Sequence, residues 1–85
     1  MNVKILKLDK KLYDGEAAKL TLPTVRGQIT ILPNHISIMT NLSKGTISVK
    51  NAAATIIFSC EAEDGVCSFF ANEAVVILKS DERID

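Results

Sequence analysis

Apolar and polar residues alternate along much of the chain. Three segments follow this two-residue period, with their apolar positions at Leu20 and Leu22, Ile29 and Ile31, and Ile47 and Val49. A period of two is typical of β-strands that bury one face, because successive side chains point to opposite sides of the strand. The segment from Val3 to Leu8 is apolar at both parities, so its pattern does not indicate which face is buried.

Residues that favour turns interrupt these segments about every eight to twelve residues. They lie at Asp14-Gly15, Pro23 to Gly27, Pro33-Asn34, Lys44-Gly45, Asn51 to Ala53, Asp64-Gly65 and Ala71 to Glu73. Short strands at this spacing predict an all-β sandwich or barrel.

Two hairpins are predicted in the second half of the chain. One joins Thr46–Lys50 to Ala54–Cys60, and the other joins Val66–Phe70 to Ala74–Leu78. Asn72 is expected to take the left-handed conformation in the second turn, which asparagine tolerates better than most residues.

Little of the sequence favours a helix. Residues from Asp9 to Gly15 could form a single helical turn, and the charged segment from Lys79 to Asp85 is expected to fray. The 85 residues correspond to one domain, residues 1–85. Since 47% of the residues are hydrophobic and only 5% are aromatic, the predicted core is aliphatic.

The charge of the chain indicates which partners are expected, and its first residues indicate which compartment is expected. The net charge is zero, which argues against nucleic acid. Residues 1–50 carry a net charge of +5 and residues 51–85 a net charge of −5. This asymmetry either orients the domain between differently charged partners or is a solvated surface mixture, and the second interpretation is favoured. No apolar run is long enough to span a membrane, and the first residues resemble no targeting peptide, so a cytosol-like compartment is expected.

Two groups of residues are candidates for a metal or redox site. Cys60 and Cys67 are too few to bind zinc, and buried thiols are favoured over a disulfide between them. Glu61, Glu63 and Asp64 cluster at a turn but lack the ligand loop of a calcium site, so a solvated turn is favoured. The sequence predicts no metal and no cofactor.

His35 is the only residue whose ordinary pKa lies near neutrality. No nucleophile elbow or phosphate-binding motif accompanies it. A structural loop histidine is therefore favoured, then a binding role, and last a catalytic one.

The segment from Leu22 to Leu42 carries a more specific signal. Its residues Pro23, Gly27 and the run Ile31-Leu32-Pro33-Asn34-His35 resemble the amino-terminal domain of the epsilon subunit of F-type ATP synthases. That family reads roughly Pro-Gly-x-x-Gly-Glu-x-Gly-Ile-Leu-Pro-x-His-x-Pro here. Weaker matches cover most of the remaining chain, at Leu12 to Gly15, Asn41 to Ile47, Gly65-Val66, Asn72 and Val76 to Leu78. Four positions depart from the family pattern, namely Gln28 (usually Glu), Thr30 (Gly), Ser37 (Pro) and Asp64 (Gly).

The resemblance implies a flattened β-sandwich of two roughly five-stranded sheets. It also implies a non-catalytic subunit of the central stalk that binds the gamma subunit and the c-subunit ring and couples proton flow to ATP synthesis. Such a subunit lies peripherally on the cytoplasmic face of the bacterial inner membrane. At the positions that match the family pattern, the resemblance implies that Arg26, Gly27 and Gln28 face the c-ring. It implies that Asn34, His35 and Ser37 face the gamma subunit. The apolar residues after His35 are expected to be exposed and partly covered by a partner, namely Ile36, Ile38 and Met39.

Many members of this family continue into a carboxy-terminal helical hairpin that inhibits ATP hydrolysis and in some cases binds ATP. The given sequence ends at Asp85, about where that hairpin would begin, so a role in assembly and coupling alone is expected. Two other hypotheses stay open: a free-standing sandwich that binds another protein or a small ligand, and a small hydrolase that uses His35.

Overall fold

The computed structural model describes residues 1–8 and 10–79. These residues form nine β-strands and no helix. The strands are β1 (Asn2–Lys7), β2 (Lys10–Glu16), β3 (Lys19–Thr24), β4 (Gly27–Ile31), β5 (Ile38–Leu42), β6 (Gly45–Lys50), β7 (Ile56–Ala62), β8 (Gly65–Phe70) and β9 (Glu73–Leu78). The prediction of an all-β fold is confirmed.

The two predicted hairpins are present. β6 pairs with β7 and β8 pairs with β9, both antiparallel. The β8–β9 turn consists of Ala71 and Asn72, whose φ angles are 53° and 63°. Two consecutive left-handed residues are typical of the turn whose twist matches that of the flanking strands. Asn72 therefore has the conformation that the sequence predicted.

The strands form one continuous hydrogen-bonded path in the order β2-β1-β9-β8-β5-β3-β6-β7, and β4 pairs with β3 beside this path. The resemblance implied two five-stranded sheets. Instead, a five-strand group (β2-β1-β9-β8-β5) is joined to the remaining four strands by a single pair, Thr24 with Leu42. The end strands β2 and β7 approach each other through Tyr13 and Phe58, whose ring centroids are 5.3 Å apart. The result is a nearly closed, barrel-like sandwich.

The core is filled by the inward-facing positions of both groups of strands. Leu20, Leu22, Ile47 and Val49 are fully buried, as their alternation predicted. In β1, where the sequence is apolar on both sides of the strand, Val3 and Ile5 are the buried residues. Other buried members of the same cluster are Ile31, Leu42, Cys67, Phe69, Ala74, Val76 and Leu78. Phe69 is the largest of the fully buried side chains, and it is packed among aliphatic neighbours.

The expectation of a helical turn before Gly15 is wrong. Residues Lys10 to Glu16 form β2, which pairs antiparallel with β1, and Gly15 lies opposite Val3 inside this ladder. The predicted turn at Asp14-Gly15 is therefore also wrong. Tyr13 packs against the core and the pairing with β1 supplies the backbone hydrogen bonds, so tertiary pairing overrides the local turn preference. Asp9 lies outside the described residues.

Charges from the two halves of the chain meet on one surface. β1 lies beside β9, in parallel register, and Lys4 contacts Glu73 at 3.3 Å. Lys79 contacts Asp64 at 3.4 Å. The structure therefore agrees with the solvated mixture rather than with two oppositely charged ends. The expected fraying of the tail falls on residues 80–85, which lie outside the described residues.

Candidate interaction surfaces

The β3–β4 hairpin ends in a tightly bonded tip. The buried Thr24 hydroxyl donates to the carbonyl of Gly27 at 2.7 Å and accepts from the backbone N–H of Arg26 at 3.2 Å. Gly27 has a φ of 112°, a conformation that residues with a side chain rarely adopt. Thr24 before the turn and Gly27 after it therefore fix the backbone of the tip, which carries Val25 and Arg26.

The three residues that the resemblance assigned to the c-ring all lie at this tip. Arg26 is in the turn, Gly27 and Gln28 begin β4, and all three are exposed. Arg26 makes no ion pair with any residue that the structure describes. Its guanidinium therefore has no charged neighbour to neutralise it within the described part of the chain.

The loop between β4 and β5 holds the other predicted set. Asn34, His35 and Ser37 are all exposed. Asn34 has a φ of 66°, and its backbone N–H donates to the side-chain oxygen of Asn72 at 2.8 Å. This hydrogen bond ties the loop to the β8–β9 turn, so both asparagines serve the conformation of this end of the domain.

His35 is held in the loop by ordinary structural contacts. Its backbone N–H donates to the carbonyl of Leu32 at 3.1 Å, and its ring Nδ1 lies 2.8 Å from the carbonyl oxygen of Ile36. The ring meets Phe69 edge-on, with centroids 6.1 Å apart. No carboxylate or hydroxyl is among its hydrogen-bond partners within the described part of the chain. The geometry therefore does not support the hydrolase hypothesis, which needs an oriented nucleophile–base pair.

The two predicted sets lie at opposite ends of β4. The tip residues begin this strand and the histidine loop follows it, so about 13 Å of extended chain separates Gly27 from Ile31. No hydrogen bond joins the two sets within the described part of the chain.

A third feature lies on the outer side of the strands β1, β9, β8 and β5. The cross-strand pairing places Leu6, Ile77 and Val66 in one row across the sheet. The next row contains Val75, Ser68 and Met39. Met39 is 75% exposed, Phe70 70% and Ile77 48%. We call this surface the apolar face, defined by Leu6, Met39, Val66, Phe70, Val75 and Ile77. The Lys4–Glu73 ion pair lies on the same side, with Lys4 opposite Val75 and Glu73 opposite Phe70. Exposed apolar surface of this kind is typical of a contact with another molecule.

The outer side of β3, β6 and β7 is mostly polar, although β7 also exposes Ile56 and Ile57, by 55% and 42%. We call it the polar face, defined by Lys19, Thr21, Ser48, Lys50, Ser59 and Glu61. The Thr46 hydroxyl donates to Glu61 at 2.7 Å, and the Thr21 and Thr30 hydroxyls are hydrogen-bonded at 3.3 Å. Such a face is satisfied by water and by its own hydrogen bonds. The two faces therefore differ in how many large apolar side chains they expose.

Sequence reasoning found only one member of the apolar face, Met39. It named Ile36, Ile38 and Met39, and the structure shows Ile36 and Met39 exposed, whereas Ile38 is half-buried against the core. It missed Phe70 and Ile77. The available signal was that β8 and β9 are apolar at both parities, which means that one apolar side of each strand must point away from the core.

The cysteines and acidic residues form no evident site. Cys60 and Cys67 are free thiols, and burial raises the pKa of Cys67 to about 11, so this thiol is protonated at neutral pH. Burial also raises the pKa of Cys60, with a smaller effect from the Glu61 carboxylate. The residues described include no group of three or more metal-binding side chains. They also include no helix that is long and apolar enough to cross a membrane.

These observations define a small β-sandwich with one apolar face and two exposed loops. The comparisons then identify the family. Residues 1–84 match the family model described as ATP synthase, Delta/Epsilon chain, beta-sandwich domain. The chain belongs to this family.

Curated relatives agree with this assignment. The chain is 30% identical over 83 residues to an ATP synthase epsilon chain of Prochlorococcus marinus (strain MIT 9515), covering 96% of this chain and 60% of that protein. It is 29% identical over 93 residues to the epsilon chain of Rippkaea orientalis, covering 100% of this chain and 68% of the relative. The chain therefore spans about two thirds of the length of these relatives.

Solved structures share the fold. A chain in the Euglena gracilis mitochondrial ATP synthase superposes with a TM-score of 0.81 at 15% identity, covering 89% of this chain and 48% of that one. A chain in the central stalk and c-ring structure of the Tetrahymena thermophila mitochondrial enzyme superposes with a TM-score of 0.74 at 14% identity, covering 93% and 63%.

Proposed function

We propose that this chain acts as a non-catalytic central-stalk subunit of a proton-translocating ATP synthase, binding the gamma subunit and the c-ring. The observation that carries the proposal is the apolar face, which an isolated domain would leave in water. Family membership supplies the complex in which such a face would be covered. The site of action is then peripheral to a coupling membrane, and the cyanobacterial relatives make a thylakoid or plasma membrane the natural candidates.

We assign the gamma contact to the apolar face together with the histidine loop. The loop adjoins this face, because its Asn34 is hydrogen-bonded to Asn72 in the β8–β9 turn and Ile36 is 79% exposed. A lasting interface needs roughly 600–800 Å² on each partner, which a loop alone does not supply. The apolar residues would form the desolvated centre of the interface, and Asn34, His35 and Ser37 its polar rim.

We assign the c-ring contact to the hairpin tip at Arg26, Gly27 and Gln28. The tip lies at the other end of β4 from the histidine loop, so a domain held by gamma through one end presents the tip to a second partner. Gln28 replaces the glutamate that is usual in the family, which leaves Arg26 as the charged group of the tip. Contact with the ring would then depend on Arg26 and on hydrogen bonds from Gln28.

The gamma assignment predicts a specific loss of binding. Phe70→Asp should reduce the affinity for the gamma subunit by about a hundredfold, because docking would bury an unpaired carboxylate. The fold should persist, since Phe70 is 70% exposed. The measurement is co-purification from cells that express the domain with gamma of the same organism, followed by titration calorimetry.

The matched control is Ser59→Asp, which adds the same charge on the exposed polar face. It should bind gamma like the unchanged chain. If Ser59→Asp abolishes binding and Phe70→Asp does not, gamma docks on the polar face and the assignment is wrong. If the unchanged chain shows no complex with gamma at micromolar concentration, the free-standing binding module becomes the better hypothesis.

The assignment of the hairpin tip to the c-ring predicts that a substitution there weakens ring binding without affecting stability or gamma binding. Arg26→Ala should change the free energy of unfolding by no more than about 0.5 kcal/mol, because its side chain is exposed and makes no ion pair with the described residues. It should retain gamma but reduce the recovery of the c-ring with the assembled complex. A much larger loss of stability in a denaturant titration would place Arg26 in a structural role instead.

A further inference from the structure

A groove of about 470 Å³ runs between the hairpin tip and β5. Four consecutive residues of β5, Ile38 to Asn41, line it. Consecutive residues of a strand point to opposite faces, so a cavity that touches all four must run along the edge of the strand rather than over one face. The groove therefore exposes the backbone of β5.

This edge of β5 is unpaired. β8 occupies the opposite edge over the full strand, whereas β3 reaches β5 only at the pair Thr24 with Leu42. Along Ile38 to Asn41, no other strand or loop backbone among the described residues pairs with it. An unpaired edge is a template for another extended chain. The edge of β2, by contrast, carries exposed Lys10 and Lys11, which discourage such pairing.

The walls of the groove have a defined chemistry. Ile29 and Ile38 are half-buried at its base, and Val25, 82% exposed, and Met39 stand on its sides. Arg26 is the only charged residue in the lining, and no carboxylate there neutralises it. The Thr24 hydrogen bonds hold the backbone that carries Arg26, so the positive charge stands at a fixed place beside the strand edge.

We propose that this groove binds an extended polypeptide segment of a partner protein, which pairs with the free edge of β5 and carries an acidic side chain beside Arg26. Main-chain hydrogen bonds would give the affinity, and the isoleucine base would accept an apolar side chain of the segment. The acidic residue would form an ion pair with Arg26 and set the register. This inference stands on the groove alone and does not require the assignments to gamma or the c-ring.

The test uses the isolated domain and three synthetic probes. The acidic probe is acetyl-Ser-Thr-Val-Asp-Val-Thr-Ser-amide, the basic probe has lysine in place of aspartate, and the third is the acidic probe methylated at every interior backbone nitrogen. Chemical-shift titration should show the acidic probe perturbing the amides of Ile38 to Asn41, about fivefold tighter than the basic probe. The methylated probe should not bind, because it cannot donate to the strand edge.

Two charge reversals test the role of Arg26. Arg26→Glu should invert the preference between acidic and basic probes, whereas Lys19→Glu, the same change on the exposed polar face, should leave it unchanged. Equal binding of the first two probes, binding of the methylated probe, or perturbations away from β5 would overturn the proposal. So would concentration-dependent shifts of Ile38 to Asn41 without any probe, since the occupant would then be a second copy of this chain. None of these outcomes requires gamma or the ring, so failure here leaves the proposed function standing.

Discussion

Replacing Ile31 with aspartate is expected to remove much of the stability of the isolated domain at neutral pH. Ile31 is the last residue of β4, is fully buried, and pairs with Leu20 at the centre of the core cluster. The substitution removes a buried aliphatic side chain and introduces a carboxylate without a partner. We expect a loss of about 4 kcal/mol or more in the free energy of unfolding, against a total of roughly 5–10 kcal/mol for a domain of this size.

The sign of the pH dependence provides a second readout. Burial raises the folded-state pKa of the introduced carboxyl above its unfolded value of about 3.9. The carboxyl therefore loses its proton more readily in the unfolded state than in the folded state. The loss in the free energy of unfolding is largest at pH values above the folded-state pKa. As the pH falls from the folded-state pKa toward the unfolded value of about 3.9, the carboxyl takes up its proton in the folded state while it is still partly ionised in the unfolded state. Part of the lost stability should therefore return relative to the unchanged chain.

Two controls separate burial from charge. Thr30→Asp introduces the same charge at the preceding, exposed position and should cost about 1 kcal/mol or less. Ile31→Asn places an uncharged polar group in the core, so its deficit should not vary between pH 7 and pH 4. Urea denaturation followed by circular dichroism measures all three. An unchanged midpoint for Ile31→Asp would mean that Ile31 is exposed and that the inward parity of β4 is wrong.

The sequence was most informative where local pattern and tertiary structure agree. Alternation placed Leu20, Leu22, Ile47 and Val49 on the inner side correctly, because one-sided burial imposes a period of two on any such strand. The β8–β9 turn was also predictable, since Asn72 tolerates the left-handed conformation that a tight hairpin needs. Both features depend on residues close together in the chain.

Long-range pairing was not predictable in the same way. β1 lies parallel to β9, with Val3 opposite Ala74, and no local signal reports a contact across that sequence distance. β2 was missed because Asp14 and Gly15 favour a turn in isolation but are held in a ladder by β1. The junction of β3 with β5 depends on a single residue pair, which leaves no periodic trace.

The candidate surfaces also differ in how far the sequence predicted them. The sequence located the two loops, and the structure shows both exposed at opposite ends of β4, although their assignment to the c-ring and to gamma stays a prediction. Most of the apolar face was missed because it is assembled from four strands, β1, β9, β8 and β5, of which only β8 and β9 are neighbours in the sequence. A single strand that is apolar on both sides can be buried between two layers or can face a partner, and only the order of strands in space separates these cases.

Gly65→Ala is expected to cost about 2–4 kcal/mol, although it adds a single methyl group. Gly65 is buried at the start of β8 and pairs with both Leu42 and Leu78. A Cβ at this position would lie 2.5 Å from the carbonyl oxygen of Ile77 and 3.1 Å from the Cα of Leu78. Both are backbone atoms of β9, so relief requires the two central strands to separate rather than a side chain to rotate.

Gly15→Ala is the matched control, because it adds the same methyl group in another strand. Its nearest neighbour would be the hydroxyl oxygen of Tyr13 at 3.2 Å, at the far end of a side chain. That ring can shift by a few tenths of an ångström, and the alanine also restricts the unfolded chain, so the cost should stay below about 1 kcal/mol. Urea titrations give the two free energies, and amide exchange along β8 and β9 locates the damage. If Gly65→Ala and Gly15→Ala lower the free energy of unfolding by the same amount, the close approach of β8 to β9 at Gly65 is contradicted, because only that approach distinguishes the two glycines.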